Sequence, residues 1–489
     1  KSKYLKEINT PRRPTTTRPG QRPQTLDTTR TEPKNGFIKG IMRMIMTLRS
    51  VNFTYNVGEG TLLPGFLPSP SYFGLDSAFN APGAAFIFGS QSPAIKEKAV
   101  RNGWLATGST LTNPFSQMQS IDISLRASLE PFKDFKIQLD VKKRETSTFQ
   151  EIFRFDANSN EFRSLNPARN GSYSLSFNTI KTAFIQDNAD NTSPVFEDYV
   201  KNREIIQQRL NGINSAGEYQ LNSQDVLIPA FIAAYSGKDA VTVNLSPFPK
   251  TPIPNWRIDY NGLGKLSGLR DIFSSVTITH SYSSTYNINS FTNSLLYADG
   301  IGLGNSIENY PLASLQNDNG DLVPVFVINQ VQITERFSPL IGINVRTKNR
   351  LTARMEYKTE RNLTLNLSNT QITELNSKDV SFDFGFTKAN FKIPFRVRGR
   401  TVALKNDLTF RMNFTIRDTK TIQRKIDEQN TITRGNLNFQ LRPNVSYVLN
   451  QRLNIQFFFE RNINEPKVSN SFRRSTTSAG IQIRFSLTQ

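Results

Sequence analysis

The 489-residue chain contains no cysteine and a single histidine, His280. Zinc sites built from Cys and His, thiol nucleophiles and disulfide scaffolds are therefore excluded, because their ligands or nucleophiles are missing. Long hydrophobic runs are missing as well. The longest nearly unbroken apolar stretch, Val226 to Tyr235, is about half the roughly 20 residues that a membrane-spanning helix requires. A helical membrane bundle is thus excluded.

Composition divides the chain into segments of different character. The first is basic and rich in Pro, Thr and Arg, with almost nothing apolar to bury, so we expect it to be extended or disordered. No signal peptide precedes it, which indicates a mature product or a C-terminal fragment. The predicted segments are the lead-in at 1–36, barrel strands at 37–180 with a Gly/Pro/Phe-rich loop at 58–118, a loop and helix insertion at 181–273 with helices after Ser193 and Ser223, and barrel strands at 274–489.

Apolar and polar residues alternate from Val51 almost to the end of the chain, and this period of two predicts strands with one wet face. Short polar connectors such as Thr347–Asn349, Glu360–Asn362 and Pro443–Asn444 indicate antiparallel hairpins of about 8 to 10 residues per strand. We count about 14 to 16 strands. The apolar series include Phe53, Tyr55 and Val57; Ile121, Ile123 and Leu125; Ile137, Leu139 and Val141; Tyr173 and Leu175; Val276 and Ile278; Ile341, Ile343 and Val345; and Ile481 and Ile483.

The opposite faces of these strands are too polar for a dry core. In the strand from Leu408 to Arg417, the apolar series Phe410, Met412, Phe414, Ile416 alternates with Arg411, Asn413, Thr415, Arg417. An outer-membrane barrel, in which each tilted strand needs about 9 to 11 residues, turns such an apolar face to lipid and the polar face to a wet lumen. The predicted fold class is therefore all-β: an antiparallel up-and-down transmembrane β-barrel wall, with long loop insertions and a few short helices.

Formal charge is +20, from 60 Lys and Arg against 40 Asp and Glu. These charges alternate singly with apolar residues and form no basic face with stacking aromatics, so we predict no nucleic-acid partner. His280 and Ser281 are neighbours on one predicted strand and point to opposite faces, which argues against a His–Ser catalytic pair. We expect no enzymatic activity, no metal and no cofactor.

Three segments together resemble a known family. They are Leu63–Phe66 (Leu-Pro-Gly-Phe), Pro252–Leu263 (Pro-Ile-Pro-Asn-Trp-Arg-Ile-Asp-Tyr-Asn-Gly-Leu) and Glu335–Gly342 (Glu-Arg-Phe-Ser-Pro-Leu-Ile-Gly). The chain, from about residue 37 to its end, resembles the C-terminal part of the SprA/Sov family, the outer-membrane translocon of the type IX secretion system and gliding machinery in Bacteroidetes. The residues singled out as structural candidates are Pro252, Pro254, Asn255, Trp256, Tyr260, Pro64, Phe66, Phe337 and Pro339.

The resemblance implies the closing portion of one very large barrel that exports folded cargo proteins from the periplasm. The implied partners are the upstream part of the same barrel, a PorV-type shuttle barrel, a periplasmic plug protein, secreted cargo proteins and outer-membrane lipid. As a conduit, the family implies no catalytic residues. Two other functions remain open on the residues alone: another outer-membrane transporter of the TonB-dependent or lipopolysaccharide-assembly type, and a soluble β-rich surface adhesin.

Overall fold

The computed structural model describes residues 47–297, 310–397, 400–403, 406–426, 428–450, 452–468 and 471–485. The predicted lead-in at 1–36 lies outside this part of the chain. The strands are β1 (Leu48–Leu62), β2 (Phe115–Phe132), β3 (Phe135–Asp156), β4 (Glu161–Ser176), β5 (Asn255–Tyr260), β6 (Phe273–Asn293), β7 (Phe326–Ile328), β8 (Gln330–Thr347), β9 (Leu351–Asn366), β10 (Gln371–Lys388), β11 (Lys392–Val397), β12 (Arg400–Ala403), β13 (Leu408–Lys425), β14 (Thr431–Asn450), β15 (Leu453–Pro466) and β16 (Arg474–Phe485). The helices are α1 (Ala84–Ile87), α2 (Ala94–Arg101), α3 (Pro194–Ile213) and α4 (Gln224–Ser236).

The strands form one 14-stranded sheet in which neighbours along the chain are mostly neighbours in space. The order is β1-β2-β3-β4-β6-β8-β9-β10-β13-β14-β15-β16, with every pair antiparallel; β5 pairs with β3 and β6, and β7 with β6, while β11 and β12 make a separate hairpin. The predicted antiparallel up-and-down all-β architecture is confirmed. No helix in the described part of the chain is long and apolar enough to cross a membrane.

Two of the predicted connectors are wrong, because Glu360–Asn362 and Pro443–Asn444 lie inside β9 and β14. Arg361 pairs across the sheet with Glu335, so its charge is satisfied within a strand. Pro443 is tolerated because the β14–β15 ladder is interrupted beside it. The connector Thr347–Asn349 does lie at a turn, between β8 and β9.

Most strands are accordingly longer than the predicted 8 to 10 residues, and β3 reaches 22 residues, while β5, β7, β11 and β12 are shorter. The alternation of apolar and polar residues continues through the whole of these strands. The sequence pattern therefore predicts the presence of a strand better than it predicts the ends of that strand.

The longest connections lie at one end of the sheet, although both ends also carry shorter ones. At the end we call the loop end, the chain makes the connections 63–114, 157–160, 294–329, 367–370, 426–430 and 467–473, and the 177–254 insertion, which leaves the sheet between β4 and β5, packs toward this end. At the other, the turn end, it makes 133–134, 261–272, 348–350, 389–407 and 451–452. The helices α1 and α2 belong to the 63–114 connection, and α3 and α4 belong to the 177–254 insertion.

The main hydrophobic core lies where the 177–254 insertion packs on one face of the sheet, near the loop end. Every residue of α4 from Asp225 to Ser236 is buried, so the longest apolar run of the sequence is a core helix. α3 begins at Pro194 after Ser193, as predicted, although the Ser193 hydroxyl makes no capping bond. Beneath the helices the sheet contributes Tyr173, Leu175, Tyr286, Ile288, Val331, Ile333, Leu363, Leu365 and Ile372.

Candidate functional site

One face of the sheet, which we call the apolar face, carries a continuous hydrophobic band in its turn-end half. Register shows that the apolar series of successive strands stand side by side on this face. Met355 is paired with Ile343 on one side and with Phe382 on the other, and Phe382 is paired with Phe414. One member from each strand of the band is Phe53, Leu125, Val141, Ile258, Ile278, Ile343, Met355, Phe382, Phe414, Val445, Phe457 and Ile481.

Many of these band side chains are exposed although they are large and apolar. Phe53, Met355 and Ile481 expose 64%, 50% and 69% of their surface. Contiguous exposed apolar surface of this extent marks an interface with another protein or with lipid.

The height of the band is comparable with that of the apolar belt of outer-membrane barrels. From Leu408 to Ile416, a span of eight residue steps, it extends about 26 Å along β13 at roughly 3.3 Å per step. With the tilt of about 40° that is usual in barrels, this corresponds to a height of about 20 Å, against roughly 25 Å for that belt.

The opposite face, which we call the polar face, is laced with charged and amide side chains that bond across neighbouring strands. Arg417 lies 2.7 Å from Asp379, and Asn413 donates to the Asp383 carboxylate at 2.5 Å. Farther along the sheet Arg336 pairs with Glu360 and Arg442 with Glu460, both at 2.9 Å. These pairs are partly exposed, so each adds little stability, but together they suit contact with water.

A row of polar residues separates the band from the core under the helices. Ser284, Glu335, Arg361, Asn376 and Lys420 are successive register partners across β6, β8, β9, β10 and β13 on the apolar face. Within this polar row, Arg361 and Glu335 are buried and lie 3.0 Å apart. The apolar face therefore changes character along each strand, from exposed band through polar row to covered core.

The polar row is covered by the first turn of the insertion, residues 179–185. The Thr179 hydroxyl donates to Glu335 at 2.5 Å, and Arg361 donates to the Thr182 carbonyl at 3.0 Å and hydroxyl at 2.9 Å. Because this turn adds three hydrogen bonds to a buried ion pair, it is held in position against the sheet.

Two of the three segments singled out from the sequence come together just beside this turn. Trp256 stacks on Tyr282 with ring centroids 4.5 Å apart, and Tyr282 contacts Phe337 at 4.9 Å. Trp256 itself is only partly buried. Pro339 follows Phe337 at the point where the register of β8 against both neighbours shifts. The aromatic stack thus lies at the margin of the band that is nearer the loop end.

The block from Pro252 to Asn255 lies at a break in one strand of the sheet, where β4 ends and β5 begins. β4 and β5 occupy one position between β3 and β6, since Leu175 pairs with Lys143 and Asn255 pairs with Asp140. The whole 177–254 insertion therefore interrupts a single strand position of the sheet, between β4 and β5. Pro252 and Pro254, which have no N–H to satisfy, lead the chain back into the sheet.

Side chains on both sides of the break replace the missing ladder bonds. The backbone N–H of Lys142 donates to the Ser176 hydroxyl, and that of Ser284 donates to the Asn255 side-chain oxygen, both at 2.8 Å. Ile253 N–H also donates to the Ser176 carbonyl at 2.9 Å. The Asn255 side chain thus replaces a backbone acceptor and holds β5 beside β6 at the break.

The remaining candidates lie elsewhere. Phe66 meets Trp104 edge to face at 6.2 Å in a small second core, and Pro64 adjoins it in sequence. Tyr260 lies near the turn end, 6.1 Å from the rings of Phe132 and Phe135. These residues share no site with Trp256 and Phe337.

Several buried charges were missed by the sequence reasoning. Arg424 is fully buried and lies 2.8 Å from Glu374 and 2.9 Å from Asp187 of the insertion. Glu335 and Arg361 are a second such pair. All occur in phase with apolar residues of their strands, and a charge at an apolar position was the signal that could have revealed a covered surface.

Comparison with known proteins adds little. No family model matches the chain, and no curated protein matches it. Among solved structures, the low-pH structure of Pseudomonas putida OprB is aligned over 76% of this chain and 88% of its own, at 9% identity and a TM-score of 0.11. A superposition this weak carries no argument about fold or function.

Proposed function

We propose that the sheet is part of the wall of an outer-membrane β-barrel, with the apolar band in lipid and the polar face toward an aqueous lumen. The observation that carries this is the band itself, because it runs unbroken across neighbouring strands on one face at bilayer height while the other face is ion-paired. A soluble adhesin would have to cover the band with protein, and the described insertions cover only the loop-end part of that face.

The orientation follows from the connections. Outer-membrane barrels have short periplasmic turns and longer extracellular loops. The loop end, which carries the long 63–114 and 294–329 connections and toward which the 177–254 insertion packs, is therefore the extracellular end, and the turn end is periplasmic.

Adjacent residues on β13 provide a matched test of the lipid assignment. Met412 lies on the apolar face beside Phe384, and Asn413 lies on the polar face at the same depth. An Arg near the bilayer midplane costs roughly 2 to 4 kcal/mol on the lipid face, and lumenal substitutions cost far less. Met412→Arg should therefore reduce folded protein in the outer membrane much more than Asn413→Arg, measured by quantitative immunoblot of heat-modifiable species. Equal tolerance, or the reverse order, would show that the band packs on protein.

We further propose that this wall belongs to a protein-conducting translocon of the SprA/Sov kind, which exports folded cargo to the cell surface. The three sequence segments that resemble the family support it. So does the sheet, which is unclosed among the described residues and leaves both outer strands available for further strands, since barrel diameter grows with strand number and folded cargo needs a wide lumen. The expected partners are the rest of the barrel, a PorV-type shuttle barrel and a periplasmic plug protein.

Depletion of the protein in its native host separates this proposal from other transporters. A translocon predicts that cargo proteins accumulate in the periplasm and disappear from the surface, while nutrient uptake and surface lipopolysaccharide stay normal. A TonB-dependent transporter predicts loss of uptake, and an assembly barrel predicts loss of surface lipopolysaccharide. Normal surface cargo after depletion would refute protein export.

A further inference from the structure

The turn at 179–185 presents two exposed apolar side chains next to the band. Phe184 and Ile185 expose 57% and 47% of their surface, although this turn otherwise lies against the sheet. The Phe184 ring is 5.2 Å from that of Phe337, which is itself buried. Immediately below Phe337 on the same face, β8 enters the band at Ile341. The exposed pair is therefore continuous with the band.

The backbone that carries this pair is held firmly. Beyond the bonds of Thr179 and Thr182 to the polar row, the Thr182 hydroxyl donates to the Tyr235 carbonyl of α4 at 2.7 Å. Within the turn, Ala183 N–H donates to the Ile180 carbonyl and Ile185 N–H to the Thr182 carbonyl, both at 3.3 Å. Because these hydrogen bonds hold the backbone of the turn against the sheet, they fix the depth at which Phe184 and Ile185 project.

Cations flank the exposed pair at the same level of the sheet. Lys181 is exposed on the turn, and its ammonium reaches only the Gly237 carbonyl, at 3.4 Å. Lys378 is exposed on the apolar face and is linked by register to Phe337 through Thr359. The register partner of Lys378 on β13, Asp418, is ion-paired with Lys467, and Asp187 of the insertion is bound to Arg424.

We propose that residues 179–185 are an interfacial anchor for an anionic lipid surface. Phe184 and Ile185 enter the acyl region of the loop-end leaflet just under its headgroups, and Lys181 and Lys378 contact headgroup phosphates. Aromatic and aliphatic side chains beside basic residues are the chemistry by which proteins bind that interface. This inference rests on the proposed outer-membrane function, and it fixes the insertion at the membrane surface.

Site-directed spin labelling tests the anchor, because the chain has no native cysteine to remove. Three variants of the protein in isolated native outer membranes are compared. Ile185→Cys probes the anchor, Met355→Cys probes the band, and Leu295→Cys, which is 89% exposed just beyond the loop end of β6, is the aqueous control. The observable is the ratio of collision with oxygen, which concentrates in acyl chains, to collision with a water-soluble nickel complex.

The anchor predicts that the ratio at Ile185 comes within about twofold of that at Met355 and exceeds that at Leu295 by about tenfold. Adding Lys181→Glu and Lys378→Glu should move Ile185 toward the aqueous value by about threefold or more, because like charges repel the phosphates. Lys181→Arg with Lys378→Arg is the matched control and should leave the ratio unchanged.

Each other outcome is informative. A lipid-like Met355 with a water-like Ile185 overturns the anchor and leaves the proposed barrel standing. A water-like Met355 overturns the barrel itself. An Ile185 label shielded from both reagents shows that a protein partner covers the turn, which also overturns the lipid anchor.

Discussion

Buried ion pairs determine the position of the insertion on the sheet. Glu335, Arg361, Glu374 and Arg424 project from strands into the covered part of the apolar face, where Thr179, Thr182 and Asp187 of the insertion meet them. Removing one partner of such a pair leaves a charge uncompensated and costs about 3 to 5 kcal/mol, while the intact pair contributes little net stability. We therefore assign these pairs to fixing the position of the insertion.

Asp225 makes the insertion sensitive to pH. It lies in the first turn of α4, accepts a hydrogen bond from the Tyr310 hydroxyl at 2.5 Å, and has a pKa that burial raises from 3.8 to about 6. Between these two pH values the unfolded state has lost its proton and the folded state keeps it. Stability from this group is therefore complete below about pH 4 and is lost as the pH rises through about 6.

We predict that Asp225→Asn removes this dependence. The wild-type free energy of unfolding of the insertion should fall by up to about 3 kcal/mol between pH 4 and pH 7, and that of the variant should stay nearly level. Thermal melts of the helical circular dichroism signal at 222 nm, taken across this range, measure the difference. Parallel wild-type and variant curves would contradict the assignment of the pKa shift to Asp225.

At the scale of elements, the strand broken between β4 and β5 is the least expected feature. Register leaves room for one residue between Ser176 and Asn255, opposite Val141 of β3. The sheet can thus carry a helical insertion without an additional strand and without changing which residues lie on the apolar face. The break is the weakest point of this strand position, because the side chains of Ser176 and Asn255 replace backbone hydrogen-bond acceptors there.

We predict that Asn255→Ala opens the wall at the break. The Ser284 N–H would lose its acceptor, at a cost of about 1 to 3 kcal/mol for a shielded donor. Hydrogen exchange of a peptide containing Ser284 should accelerate, and folded yield in the membrane should drop. Asn255→Asp keeps an acceptor oxygen at the same place and should restore slow exchange; equally fast exchange in both variants would show that the side-chain bond does not protect Ser284.

How far the sequence predicts these elements depends on whether the cause is local. The alternation in Leu408–Ile416 predicted both a strand and its two faces, because a period of two is a local property. Glu360–Asn362 was misassigned to a turn because its partners, Glu335 and Thr182, are distant in sequence and meet it only after folding. The Pro252–Asn255 block stood out by composition, but its function at the break depends on Ser284, which no local pattern connects to it.

For the whole molecule, the important feature is a sheet with two free edges. Among the described residues β1 pairs only with β2 and β16 only with β15, and nearly all residues of β1 and β16 are exposed. Both strands carry apolar residues of the band, so in the proposed barrel both edges lie at bilayer depth. Unpaired backbone groups cannot be satisfied in lipid, and the proposed membrane location therefore requires both edges to pair with other strands.

We predict that β1 and β16 do not close on each other. Asn52 and Gln482 lie on the polar face at similar distances from the turn end, so a barrel closed by this sheet alone would place them on adjacent strands at similar depth, where a disulfide can form. Asn52→Cys combined with Gln482→Cys should form no intramolecular disulfide in native outer membranes under mild oxidation. Gln456→Cys combined with Gln482→Cys is the matched control, because these residues are register partners on β15 and β16, and it should cross-link readily. If the Asn52–Gln482 pair also cross-links within one monomer, the sheet closes by itself, the barrel is a narrow one of these strands alone, and the passage of folded proteins through it is ruled out.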